Sequence, residues 1–270
     1  MTPFALPRLR PWNTALNQPP LVFLPGMDGT GDLFHTQAPS LDPHFAVHSL
    51  QLPPYAYPDW LALVTATWTT LTQHFPDTPV VLCGESFGGC LALKLAAYAP
   101  ERVAGLILVN PASSFAHQGW LVQGSRWVDW LPPGVFGLSH WVLLPFLVDL
   151  TRLRPADRQR LMEAMRAVPH AVCQNRLALL REFDLTPETL ARLSQPTLIL
   201  ASAQDRLLPS LAEAERLVSH LPRATYEVLP NSGHACLLET DVHLTPILDR
   251  QRWLGNWAMG PAAQEPVGIG

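Results

Sequence analysis

Short runs of branched apolar residues alternate along this chain with longer stretches whose apolar positions recur at helical spacing. Leu21–Leu24 and Phe45–Leu50 read as strands, the second entered from Pro43 and ended before Pro53-Pro54. Across Trp60–His74 the positions Leu61, Val64, Trp68 and Leu71, with Phe75 just beyond, repeat at roughly 3.6 residues and predict a helix. Val80–Cys83 is a further strand, Phe87–Tyr98 an alanine- and leucine-rich helix ending before Pro100, and Leu106–Val109 a strand stopped by Asn110-Pro111. The rhythm then changes. From 114 to about 190 there is no strand pattern, only helical stretches rich in tryptophan, leucine and arginine. Thr197–Ala201 restores the strands, Ser210–Ser219 follows as a helix, and Thr225–Leu229 is the last strand. Asp241–Trp257 is expected to close the chain as a helix, followed by a frayed tail. Strands alternating with helices predict an α/β fold, a mostly parallel sheet with helices on both faces. One domain over 1–270 is expected, with its core at 15–113 and 191–258, a helical cap insert at 114–190, and a disordered tail at 259–270.

Composition narrows the function. Of 270 residues, 48% are apolar, enough for a sizeable core. The net charge of −4, without a basic run, gives nucleic acid no electrostatic footing. Cys83, Cys90, Cys173 and Cys236 form no CxxC pair and sit in apolar segments, as expected of reduced, buried thiols. The start of the chain, broken by Pro3, Pro7 and Pro11, lacks the apolar core of a secretory signal, so a cytoplasmic protein is expected. Residues 131–148 carry no formal charge, but prolines and glycines make them a poor spanning helix and a better surface element or lid.

Gly84-Glu85-Ser86-Phe87-Gly88 fits G-x-S-x-G, between a strand and a helix. A serine on so tight a turn projects its hydroxyl above the carboxyl ends of the strands. That hydroxyl is a weak nucleophile and needs a base. Among the ten histidines, His234 stands just after the last strand, in "LPNSGHACLLE", where it can reach across the top of the sheet. Asp205, a few residues beyond the strand of "TLILASAQDRLLP", can fix the imidazole tautomer and stabilise imidazolium. The order Ser86, Asp205, His234 is the one this architecture uses. Donors for a developing oxyanion are expected from the backbone N–H of Phe87 and, in "FLPGMDGTGDLF", of Met27. Asp28 either binds substrate or caps the next helix, capping being favoured. Glu85 is expected to turn away into a hydrogen-bonded shell.

These motifs resemble the α/β-hydrolase fold, and more narrowly its esterases, lipases and thioesterases. With "LILVNPASSF" and "QNRLALLREF" added, the chain looks like the hydrolase-like domain of the phytyl ester synthases and their cyanobacterial relatives. The resemblance implies acyl-ester chemistry on lipid-like substrates through Ser86, Asp205 and His234. The plant enzymes of that family carry a further acyltransferase-like region with no counterpart here, so hydrolysis is expected ahead of transfer.

Trp120, Trp127, Trp130, Phe136, Trp141 and Phe146 crowd the insert. Some should hold it on the sheet; Trp120, Trp141 and Phe146 are candidates to line an apolar acyl site, or the insert contacts a membrane surface. Arg152, Arg154, Arg158 and Arg160 would then face anionic headgroups, or simply form a solvated helix face. The expected activity is cleavage or transfer of acyl groups of apolar esters or thioesters, with no cofactor and no metal. The alternatives are an acyltransferase making lipid esters such as phytyl esters, and a non-catalytic protein holding an apolar ligand.

Overall fold

The computed structural model describes residues 5–13, 18–130 and 132–255. Among them, seven strands form one sheet: β1 (Arg8–Pro11), β2 (Pro20–Leu24), β3 (Ala46–Gln51), β4 (Val80–Glu85), β5 (Val103–Val109), β6 (Thr197–Ser202) and β7 (Ala224–Leu229). Their order in space is β1-β3-β2-β4-β5-β6-β7. All neighbours run parallel except β1, which pairs antiparallel with β3 at the edge.

That edge strand is too short for an apolar period, with only Leu9 packed on the core between exposed arginines. Arg8 and Arg10 give it the charge, and Pro11 the blocked N–H, that suit an unpaired edge. β2, β4 and β6 are buried at every position, as strands covered on both faces must be.

The two faces hold separate apolar layers. On one, α2 (Trp60–His74), α3 (Phe87–Tyr98) and α9 (Ser210–His220) cover Val22, Leu82, Leu108 and Ile199. On the other, the short α1 (Ala38–Leu41) and α10 (Leu244–Arg250) close over Phe23, Cys83, Ile107 and Leu200. In α2 the buried stripe runs through Trp60, Leu63, Val64, Thr67, Trp68 and Leu71, whereas Leu61 faces solvent.

The expected helix over Asp241–Trp257 is shorter. His243 is its extended N-cap, Arg252 sits at φ 55° just past its end, and Trp253 is buried beyond it. Residues 256–257 and the expected tail lie outside the described residues.

Between β5 and β6 come only helices among the described residues: α4 (Gly119–Trp130), α5 (Pro133–Leu147), α6 (Pro155–Arg166), α7 (His170–Arg181) and α8 (Pro187–Ala191), with short 3-10 turns. No described helix is long and apolar enough to cross a membrane. Cys83, Cys90 and Cys236 are buried and Cys173 half-buried, all four as free thiols.

Candidate active site

β2 and β4 are neighbours in the sheet although the chain leaves β2 for β3 on one side and enters β4 on the other. Such a switch point opens a crevice at the carboxyl ends of the strands. The loop after β2 and the turn after β4 face each other there.

Ser86 is the hinge of the β4–α3 turn, at φ 54° and ψ −113°. A non-glycine residue holds such dihedrals only where its surroundings impose them. The imposition is visible: Ser86 N–H donates to Val109 O at 3.0 Å, and Ser86 O accepts from Gly89 N–H at 3.0 Å and Ala112 N–H at 3.1 Å. The glycines permit it. A Cβ on Gly84 would run into the backbone of Gly88, and one on Gly88 into the carbonyl of Leu24. Phe87 opens α3, so its N–H has no acceptor within the helix and carries the positive end of the helix dipole.

Asp205 and His234 meet. His234 Nδ1 lies 2.8 Å from Asp205 Oδ2, both side chains nearly inaccessible to solvent. Asp205 is fixed in turn by the N–H groups of Leu207 (2.8 Å) and Leu208 (2.9 Å) on Oδ1 and by the Ser210 hydroxyl on Oδ2. Burial alone would raise the Asp205 carboxyl, but the His234 charge and these donors hold it below its usual value. Burial would likewise lower His234; the charge and hydrogen bond of Asp205, with the charge of Glu85, hold it above its usual value. A carboxylate on Nδ1 leaves Nε2 as the nitrogen able to exchange a proton.

Asn110, read from sequence only as a strand stop, ties the site together. It is fully buried at φ 42°, directly after the residue that anchors Ser86. Its Nδ2 donates to His234 O (2.7 Å) and Ser202 Oγ (2.9 Å), and its Oδ1 accepts from Ser202 N–H (2.8 Å). One amide thus joins the ends of β5 and β6 to the His234 loop. A partner across so many residues leaves no mark in local pattern.

The loop after β2 runs close to the serine: a Cβ on Gly26 would sit 3.7 Å from Ser86 Cβ. Gly29 N–H donates to Gly26 O at 3.1 Å, closing a turn with Met27 and Asp28 at its centre. Asp28 Oδ2 accepts from Thr30 N–H and Thr30 Oγ1, both at 2.7 Å, so it caps this turn rather than the following helix. Arg176, on α7, donates from Nη1 to Met27 O at 2.6 Å. Asp28, Gly29, Leu52, Val168, Val172 and Arg176 are among the residues lining a cleft of about 210 Å³ between this loop and α7.

The family model for the alpha/beta hydrolase fold matches residues 19–241. The chain belongs to the alpha/beta hydrolase fold family. This hydrolase-fold chain is 30% identical to phytyl ester synthase 1, chloroplastic, of Arabidopsis thaliana, over 85% of its own length and 36% of the plant protein's. A second plant relative, phytyl ester synthase 2, is 28% identical, and the chain spans 38% of it. It is also 30% identical to the pimeloyl-[acyl-carrier protein] methyl ester esterase of Nitrosomonas europaea, covering 83% of this chain and 92% of that protein. Among solved structures, a thermophilic esterase from Thermogutta terrifontis shares the fold at a TM-score of 0.72 and 20% identity, with 91% of each chain covered.

In this α/β-hydrolase Glu85 does not enter a hydrogen-bonded shell. It ends β4 two residues beyond Cys83, buried, and its Oε1 has no partner. Burial, opposed by His234 and reinforced by Asp28, pushes its carboxyl up to about 7. The three apolar candidates also fall elsewhere. Trp120, Trp141 and Phe146 are 61%, 57% and 46% exposed, and none lines the cleft beside Asp28. Trp141 lies under the Arg166 guanidinium, and Phe146 borders a separate surface cavity with Arg152, Arg206 and Gly233. Among the described residues no cluster of three or more His, Cys, Asp or Glu side chains could hold a metal ion.

Proposed function

We propose that this chain is a serine hydrolase of apolar carboxylic esters or thioesters, working through an acyl-enzyme on Ser86. The reading rests above all on one observation: a buried Asp205–His234 pair at 2.8 Å, linked through Asn110 to the strand end that fixes the strained Ser86. His234 Nε2 takes the Ser86 proton as Oγ attacks the carbonyl carbon, and the N–H groups of Phe87 and Met27 receive the oxyanion. As the C–O or C–S bond breaks, His234 returns the proton to the leaving group. It then takes a proton from water as the water oxygen attacks the acyl carbon, and passes that proton to Ser86 Oγ as the Oγ–acyl bond breaks and the acid leaves. The ester chemistry named for the plant and Nitrosomonas relatives supports this class. An acceptor alcohol in place of water would give the synthase reaction named for the plant relatives.

The test is labelling with a fluorophosphonate, alongside hydrolysis of p-nitrophenyl esters and acyl thioesters of increasing chain length. Wild-type protein is expected to carry one adduct that Ser86→Ala abolishes, with hydrolysis falling by 10³-fold or more, on the order of other lost nucleophiles. Absence of any adduct or turnover would leave the fold as a binder of apolar ligands. Product analysis with a long-chain alcohol present separates hydrolysis from transfer.

We further propose that α4 rests on an apolar surface such as a lipid interface. Trp120, Trp127 and Trp130 share its outer side, with Trp127 and Trp130 at 73% and 85% exposure. Arg154 and Arg160 stay exposed nearby in sequence, whereas Arg152 is engaged by Glu239 and Asp241.

A further inference from the structure

Arg176 is a cation buried to 5% exposure, yet among the described residues no carboxylate lies within ion-pairing distance of it. Burying a charge costs heavily unless it is compensated. Here the compensation is small. The nearest assigned partner is the neutral carbonyl of Met27, and Asp28 acts on the guanidinium only through space. Burial accordingly lowers its pKa, a cost that Asp28 only partly offsets.

The loop it holds has three fixed points within four residues. Gly26 leaves room for no more than one carbon beside Ser86, its carbonyl is tied to Gly29 N–H, and the Met27 carbonyl is tied to Arg176. Gly29, at φ +68°, lies under the guanidinium, where a Cβ would come 2.5 Å from Nη2. Met27 N–H lies between the two tied carbonyls, so the loop cannot swing it away without unmaking one of them.

Arg176 is itself held from behind. Asn175 and Tyr57 exchange side-chain and backbone hydrogen bonds of 3.0 and 2.8 Å, Trp60 Nε1 donates to Leu179 O at 2.7 Å, and Leu179 and Leu180 are buried in the main core. α7 therefore presents the guanidinium from a docked helix.

We infer that Arg176 is a positioning residue for acyl transfer: through the Met27 carbonyl it holds the Met27 N–H where the oxyanion develops. The inference rests on the serine-hydrolase reading above. It assigns a catalytic task to the insert, which substrate shape alone does not require. The effect belongs in the chemical step. Mispositioning one oxyanion donor should cost about 10- to 100-fold in kcat, somewhat less than deleting a donor outright, while KM moves little.

The experiment uses the full chain carrying Arg176→Met, Arg176→Gln or Arg176→Ala, with folding checked by circular dichroism and thermal melting. Fluorophosphonate labelling rates and kcat for a short p-nitrophenyl ester are expected to fall together about 10- to 100-fold in all three. In Arg176→Ala, guanidinium chloride at low, non-denaturing concentration should restore part of the labelling rate, where urea should not. A merely structural role predicts no such rescue. A folded Arg176→Met labelled at the wild-type rate overturns the inference. Should that variant not fold, Arg176→Gln is read the same way. If wild-type protein takes no label and turns over no ester, the hydrolase reading fails and this inference with it. If wild type is labelled and the folded variants match it, this inference alone fails.

Discussion

Glu85, beside the candidate nucleophile in sequence, and the buried His234 feel each other's charge from inside the protein. As a base His234 works only when neutral. Because the fold holds its pKa above the usual imidazole value, the acidic limb of kcat/KM should lie above pH 6.5, with activity lost as pH falls through it. A negative Glu85 favours imidazolium, so Glu85→Gln should move that limb to lower pH. A limb that stays in place would show that Glu85 does not act on the base.

Stability gives an independent reading of the same carboxyl. Its pKa is near 7 in the fold, against a usual 4.5. The folded state therefore holds the proton more tightly, and ionisation costs stability progressively as pH rises from below 4.5 to above 7. The difference is worth up to about 3 kcal/mol. The Tm of Glu85→Gln should thus exceed that of wild type by more at pH 8 than at pH 5. The places of Ser86, Asp205 and His234 just beyond β4, β6 and β7 are legible in the sequence, because each follows its own strand. Glu85 is not: the unpartnered carboxyl reflects what lies opposite β4, which its neighbours in sequence do not encode.

Helices and strands differ in how much of them pattern reveals. The alternation of buried strands with α2, α3 and α9 was readable because those elements bury continuous faces. β1 was not, since an edge strand pairs on one side and needs no apolar period. The last helix stops before the expected Trp257 because Arg252 takes a left-handed turn, after which Trp253 and Leu254 still pack on the core. Arg176 was hidden by the same logic. An arginine in an amphipathic helix reads as a solvated charge until the opposing loop is known.

The exposed side of α4 is a property of the element as a whole, with tryptophans three and seven residues apart lying together. Trp127→Ser with Trp130→Ser should reduce co-sedimentation with phosphatidylcholine vesicles severalfold, leaving short-ester hydrolysis unchanged. Equal sedimentation of both proteins would count against a lipid-facing α4.

Across the molecule, the insert and the sheet share a core. Leu179, Leu180 and Phe183 join the cluster of Leu82, Phe87 and Leu91, and Phe183 meets Trp60 edge-on. At the far side, Ala235 N–H donates to Leu147 O at 2.9 Å, and His35 Nε2 lies 2.8 Å from Asp157 Oδ1. Calorimetry should therefore show a single unfolding transition. Leu179→Ala should lower its Tm, at a cost of about 2–5 kcal/mol, the range for a buried leucine. Two separated transitions, the first removing only helical signal, would mean that the insert folds on its own.

The insert meets the core at two backbone carbonyls, its own Leu147 at the end of α5 and Met27 in the loop after β2. In divergence among relatives, or in laboratory recombination, such a segment cannot be exchanged as a passive specificity module. A donor segment would have to bring a cation in register with the Gly26–Gly29 turn and a free carbonyl in register with Ala235. A chimaera lacking the cation should turn over slowly, and one lacking the carbonyl should lose the hydrogen bond to Ala235.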